Sequence, residues 1–143
     1  MKENVPRVGL GVVLINKEGR VLIEKRTGSH AREYSIPGGH LELGETFEHG
    51  AIRELKEEFD LDIKNPKVIG VTNNLETYES EGLHYISVVL LVTEYTGELK
   101  IMEPDKCEEW LWADPKNLPE PHFDASRLGV QCYLNGTCYE GIK

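Results

Sequence analysis

The chain has 143 residues, of which 16 are Lys or Arg and 25 are Asp or Glu, giving a formal charge of −9. That balance argues against bulk attraction to polymeric nucleic acid or to an anionic membrane surface. Hydrophobic residues at 39% and charged residues at 29% suit one globular domain over 1–143 and weigh against disorder or a multidomain plan.

The longest apolar stretches, such as Ile86 to Thr93, fall well short of a membrane span, and the start MKENVPRVG lacks the apolar region of a signal peptide. Cys107, Cys132 and Cys138 form no CxxC or Cys/His cluster. A soluble, cytoplasmic protein without a disulfide framework is expected.

Residues 7–15 (RVGLGVVLI) and 20–26 (RVLIEKR) are β-branched runs, and Asn16-Lys17-Glu18-Gly19 between them has hairpin turn chemistry. The polar loop TGSHARE leads through a short strand at 34–36 into Pro37 and a Gly38-Gly39 turn, after which HLELGE (40–45) reads as irregular backbone. Thr46 then caps a helix in which Ala51, Ile52, Leu55 and Phe59 recur at helical spacing. After Pro66 the pattern predicts strands over 67–78 and 83–95, turning at Glu81-Gly82, and another over 109–113. A last helix over 124–134 would turn Leu128, Cys132 and Tyr133 inward. The order β-β-β-α-β-β-β-α predicts an α/β fold, a mixed β-sheet with helices packed on its faces.

The first helix carries more negative charge than its stability favours. Glu54, Glu57 and Glu58 share one face, because positions i, i+3 and i+4 are neighbours on a helix surface. Each like-charge pair costs roughly 0.2–0.5 kcal/mol, and the carboxylates sit toward the C-terminal end, where the macrodipole disfavours anions. One reading is a solvated acidic face relieved by Arg53 and Lys56. The other is a divalent cation held by oxygen ligands. Mg²⁺ suits it best, because it binds one or two carboxylates and completes its shell with water and substrate phosphates.

The surrounding residues decide between these readings. In GGHLELGETFEHGAIRELKEEFDL, Gly39 is followed after five residues by Glu45. Seven residues further come Arg53-Glu54-Leu55, then Glu57-Glu58, Asp60 and Leu61. This resembles the Nudix box, over 39–61, of hydrolases that cleave nucleoside diphosphates linked to another group. Eight of the nine defining positions match; Asp60 stands where the family usually has Gly. A Gly there suits a left-handed residue after the helix, a conformation Asp tolerates at a cost on the order of 1 kcal/mol.

The resemblance implies a Nudix fold, a mixed sheet sandwiched between helices, and Mg²⁺ as cofactor with Mn²⁺ as a substitute. It implies Glu54, Glu57 and Glu58 as metal ligands, with the Gly38 carbonyl a further ligand and Glu103 an extra acid approaching from a loop. Glu54 or Glu57 would take a proton from the attacking water, with Glu54 preferred. Arg53 would pair with Glu45 and hold the loop against the helix. Gly39 and Gly44 would permit backbone torsions that a side chain forbids. Lys25 and Arg26, with His30 and Arg32 behind them, are candidate phosphate contacts, although strand-end lysines are also ordinary edge charges.

Beyond the box, IPGGHLELGET, VTNN, HYISV, EPDKCEEWLW and NLPEP resemble a branch of the family that hydrolyses nucleoside triphosphates, oxidised purine forms included, to monophosphate and pyrophosphate. The branch includes plant cytosolic and mammalian enzymes. By position, its substrate pocket would use Asn73, His84, Ser87 and Phe123, and homodimers are common in it. For Phe123 a core plug, and for His84 a satisfied buried histidine, are the competing readings. Trp110 and Trp112 alternate on a strand and read as packing residues. A nucleotide-sugar or isoprenoid diphosphate as substrate, and a non-catalytic nucleotide sensor, are the functional alternatives.

Overall fold

Residues 7–15 contain no polar/apolar alternation because β1 (Arg7–Leu14) is buried on both faces, the condition that produces a continuous apolar run. Leu10, Val12 and Leu14 pack on one side with Leu22 and with Ala51, Leu55 and Phe59 of α1 (Phe47–Phe59). Val13 and Ile15 pack on the other with Val21, Ile23, Val89 and Val130, the last from α3 (Asp124–Asn135). The computed structural model describes residues 4–28 and 32–141. In it the two longer helices flank the strands, the predicted α/β/α arrangement.

The remaining elements are β2 (Val21–Arg26), β3 (Tyr34–Ser35), β4 (Gly38–His40), β5 (Asp62–Lys64), β6 (Lys67–Asn73), α2 (Leu75–Glu81), β7 (Tyr85–Val92), β8 (Glu94–Thr96) and β9 (Cys107–Ala113). A mixed sheet runs β4-β1-β7-β6, with β1 and β7 parallel and the outer pairs antiparallel; β3-β2-β9 and β5-β8 form two antiparallel sheets. The expected β1–β2 hairpin therefore exists only as a turn. Asn16 closes it through its own backbone and side chain, but only Ile15 and Val21 bridge across it. Both strands find longer partners elsewhere, and those pairings hold more of the core.

Three further elements differ from the sequence pattern. Residues 75–81 form α2, not strand: Glu76 sits in its first turn and Gly82 takes the left-handed C-cap at φ 74°. Thr77 anchors it, its hydroxyl donating to Asp124 Oδ1 at 2.8 Å. Gly38-Gly39, read as a turn, and His40, read as irregular, form β4, and Leu128 in α3 is only half-buried; Ala125, Gly129, Val130 and Cys132 make the inward face. Trp110 and Trp112 pack on the core with Tyr95 stacked on Trp112, as predicted. All three cysteines are free thiols.

Gly38 is where strand pairing and the acidic helix meet. A Cβ there would be driven into the Leu10 carbonyl, so Gly38→Ala must part β4 from β1. It is expected to lower unfolding free energy by about 1–3 kcal/mol, read as a lower urea midpoint at unchanged slope.

Candidate active site

Thr46 opens α1 as predicted, its hydroxyl accepting from His49 N–H at 3.1 Å. Asp60 closes it in the left-handed conformation, φ 57°, with Lys56 Nζ 3.0 Å from its carboxylate. That ion pair, and Lys100 behind it, hold the Asp60 carboxyl below the usual carboxylate range. The departure from Gly is thus accommodated locally, and the acids upstream keep their helical register.

Those acids divide by burial. Glu54 and Glu58 lie inside the protein at 8% and 9% exposure, while Glu57 is exposed. Arg53 spans the gap as a branched clamp. Its Nε donates to Glu45 Oε2 at 2.7 Å and Nη2 to Glu45 Oε1 at 2.9 Å. Nη1 reaches Glu54 Oε1 at 3.0 Å and Glu57 Oε2 at 3.4 Å, and Nη2 also donates to the His40 carbonyl at 3.1 Å. The bidentate fork explains why Arg stands here rather than Lys. It holds the Glu45 carboxyl down at about 2. The β4 loop and the helix are joined through it.

Opposite the helix, β2 contributes an acid that sequence reading overlooked. Glu24 is 4% exposed. Burial pushes its carboxyl up to about 7, opposed by the adjoining Glu58 and by the Arg26 guanidinium. Burial, then the Glu24 charge, pushes Glu58 well above the ordinary carboxylate range. The signal was present in VLIEKR: Glu24 shares the pleat face of Leu22, whose side chain is wholly buried.

Glu24, Glu54, Glu57, Glu58 and Glu103 line one cleft of about 500 Å³ with Arg26, Gly38, Gly39 and His40. Among the described residues no group of three His, Cys, Asp or Glu side chains already stands at metal-ligand spacing. The donor set nonetheless fits a hard divalent cation. Glu58 Oε2 is buried without a hydrogen-bond partner, an expensive state that a cation would relieve. Gly39 leaves room for the Glu54 carboxylate, which a Cβ would strike, and the Gly38 N–H donates to Glu58 Oε1 at 3.3 Å. A cleft that offers carboxylates without a complete protein cage suits Mg²⁺, which keeps several waters and takes substrate phosphate oxygens.

The raised acids set a pH dependence. In the unfolded chain Glu24 and Glu58 titrate near 4.5; folding raises both, so folding is favoured while they stay protonated. That stability is present below about pH 4.5 and is lost as pH rises through about 7. Metal-free protein in EDTA is expected to lose melting temperature between about pH 4.5 and 7, and Mg²⁺ to restore it at pH 7.

A second, apolar cleft of about 190 Å³ opens from the first, sharing Arg26, Gly38, Gly39 and His40. Leu83, Tyr85, Val89 and Phe123 line it, with Asn74, Ser87 and Ser126 as its polar groups. Of the expected substrate contacts, Arg26, Gly39, Ser87 and Phe123 line this cleft. Asn73 and His84 are elsewhere: His84 Nε2 lies 2.6 Å from Asn73 Oδ1, and their neighbours Asn74 and Tyr85 face the cleft instead. Adjacent residues point to opposite sides, so a one-residue offset changes the side reached. Asn74 is held from both sides, accepting from Thr72 Oγ1 at 2.8 Å and donating to Ser87 Oγ at 3.0 Å.

Lys25 faces away from both clefts, with Nζ 3.6 Å from Glu108 and 5.8 Å from the Tyr34 ring centre. Arg32 is exposed and lines neither cleft. His30 lies outside the described residues. Of the expected phosphate contacts among the described residues, Arg26 is the one that lines the clefts, its Nη1 3.7 Å from Glu24 and its Nε without a hydrogen-bond partner.

The glycines of β4 thus face a helix whose carboxylates Arg53 clamps. The chain matches the NUDIX domain over residues 5–130 and belongs to the Nudix hydrolase family. It is 34% identical over 116 residues to a protein named ADP-ribose pyrophosphatase from Methanocaldococcus jannaschii, covering 80% of this chain and 66% of that one. It is 27% identical over 135 residues to an RNA pyrophosphohydrolase from Pelagibacter ubique, covering 83% and 84%. The fold matches a MutT NUDIX hydrolase from Burkholderia pseudomallei at TM-score 0.81 and 29% identity, covering 89% and 97%. No helix among the described residues is long and apolar enough to cross a membrane.

Proposed function

We propose that this Nudix hydrolase is a Mg²⁺-dependent pyrophosphohydrolase that converts nucleoside triphosphates to nucleoside monophosphate and pyrophosphate. The observation that carries this reading is the junction of the two clefts. A polyphosphate laid along the acidic cleft continues, past Arg26 and the Gly38–Gly39 turn, into an apolar pocket with amide and hydroxyl groups on its wall. Such a pocket suits a flat base with polar edges and Phe123 as an aromatic wall.

Glu54, Glu57 and Glu58, with the Gly38 carbonyl and Glu103, are the groups that would hold the cation. When bound, it supplies Lewis-acid polarisation of the phosphate and a more acidic water. Glu54 takes the proton of the attacking water at Oε2, its Oε1 being held by Arg53 Nη1. Arg26 stabilises the negative charge that accumulates on the phosphate oxygens. The P–O bond on the far side of the attacked phosphorus breaks, and the pyrophosphate leaves.

A second reading has support of its own. The archaeal relative is named for ADP-ribose and the bacterial one for RNA, so the anhydride cleaved here would join a nucleotide to a sugar phosphate or end an RNA chain. The experiment is a substrate panel with Mg²⁺: nucleoside triphosphates, ADP-ribose and 5′-triphosphorylated RNA, with products identified by mass. Pyrophosphate and monophosphate from triphosphates support the first reading; turnover confined to ADP-ribose or RNA replaces it.

A further inference from the structure

Ile36 and Pro37 carry the chain from β3 in one sheet to β4 in another, where Gly38 and Gly39 meet the buried acids. Their anchorage comes from the last helix. The Ile36 N–H donates to Ser126 Oγ at 2.8 Å, and Ser126 Oγ lies 2.7 Å from His122 Nε2. The other ring nitrogen, Nδ1, lies 3.0 Å from the Pro119 carbonyl. A carbonyl only accepts, so Nδ1 carries the hydrogen and Nε2 accepts from the Ser126 hydroxyl. Burial keeps the imidazole below its ordinary range, aided by the Arg127 charge and opposed by the Pro119 carbonyl and Glu120.

The chain of bonds is closed to solvent: His122, Ser126 and Ile36 are 7%, 1% and 4% exposed. The same segment is clamped twice more, Tyr34 N–H donating to the Pro121 carbonyl at 2.8 Å and Phe123 N–H to the Tyr34 carbonyl at 2.9 Å. Downstream, Pro37 has no N–H, and its carbonyl accepts from Val12 at 2.8 Å. The Ile36 amide is therefore the last donor holding this strand before Gly38 N–H reaches Glu58.

We propose that His122 is a positioning residue for the hydrolytic site, acting through the Ser126 hydroxyl on the Ile36 amide to fix the Gly38–Gly39 turn against Glu54 and Glu58. A neutral imidazole of one tautomer orients the serine hydrogen, which leaves the oxygen lone pair free for Ile36. Without that acceptor the hydroxyl turns and the turn drifts. Displacements of about 1 Å at a reacting centre cost about a hundredfold in rate, and a fraction of that is expected here.

The inference rests on the hydrolase reading for its kinetic arm alone. Ser126→Ala, His122→Gln and His122→Phe are compared with wild type by kcat, KM and the amide resonances of Gly38 and Gly39 in ¹H–¹⁵N spectra. Gln keeps an acceptor near the Nε2 position; Phe does not. Ser126→Ala and His122→Phe are expected to lower kcat about tenfold with KM within about twofold and to move both glycine amides. His122→Gln is expected to keep kcat within about threefold and leave them in place. The double variant Ser126→Ala/His122→Phe should be no slower than either single one.

Equal losses in the Gln and Phe variants would overturn the inference, as would raised KM at unchanged kcat, which marks Ser126 as pocket wall only. Should Ser126→Ala fail to fold, the Gln/Phe pair decides alone. If wild-type protein turns over no anhydride, the functional reading fails, and unmoved Gly38 and Gly39 amides would overturn this inference separately.

Discussion

Glu54→Gln is expected to lower turnover by about two to four orders of magnitude while the protein remains folded. Glu54 sits at the centre of the Arg53 clamp, and its carboxylate occupies the space that Gly39 leaves empty. Gln preserves that shape and can still meet Arg53 through its carbonyl oxygen. What it removes is a basic oxygen and one negative charge. The measurement is single-turnover rate with saturating Mg²⁺, alongside a thermal melt. A melt within a few degrees of wild type with a collapsed rate is the expected pair of results; full activity would remove Glu54 from the chemistry.

Glu58→Gln is expected to have opposite effects on stability and on rate. In the metal-free protein Glu58 is a buried carboxyl beside Glu24, with one oxygen unpartnered. A neutral amide removes the electrostatic cost of ionising that position, so the variant should melt higher than wild type in EDTA at pH 8. Turnover should fall by about a hundredfold or more, because a candidate cation ligand is gone. Mg²⁺ should then stabilise wild type and leave the variant nearly unmoved. A variant less stable than wild type in EDTA would show that Glu58 is a structural partner of Glu24, not a ligand awaiting a cation.

The helix and its acids were legible in the sequence because their signals are local. Thr46 at the cap, the 3–4 spacing of Ala51, Leu55 and Phe59, and three glutamates on one face are all set within 14 residues, and the structure keeps them. Pairing between strands was not legible. The Asn16–Gly19 turn has the chemistry of a hairpin, but β1 lies between β4 and β7, whose residues are far away in sequence.

The same distance hid parts of the site. Glu24 becomes a site residue only when α1 closes over β2, although its place in an otherwise apolar run was a visible anomaly. Asn74 lines the cleft where Asn73 was expected, and Tyr85 where His84 was, because those positions were carried over from the resemblance and neighbouring residues at the ends of β6 and β7 face different sides. NNLETYESEG carried a helix signature, an Asn before acidic residues and a Gly after them. It was masked by the β-branched run that precedes it. His122 and Ser126 gave no sequence signal, since their link to Ile36 spans 90 residues.

A divalent cation placed among Glu54, Glu57 and Glu58 would offset their mutual repulsion and the burial of Glu54 and Glu58. Crystals grown with Mn²⁺ and a non-cleavable nucleoside triphosphate analogue test it most directly, through an anomalous difference map. The expected result is a peak bound by carboxylates of Glu54, Glu57 and Glu58 and by a phosphate oxygen, with the base in the pocket beside Ser87. Glu54, Glu57 and Glu58 turned away from an ion-free cleft, with the nucleotide bound elsewhere, would contradict it.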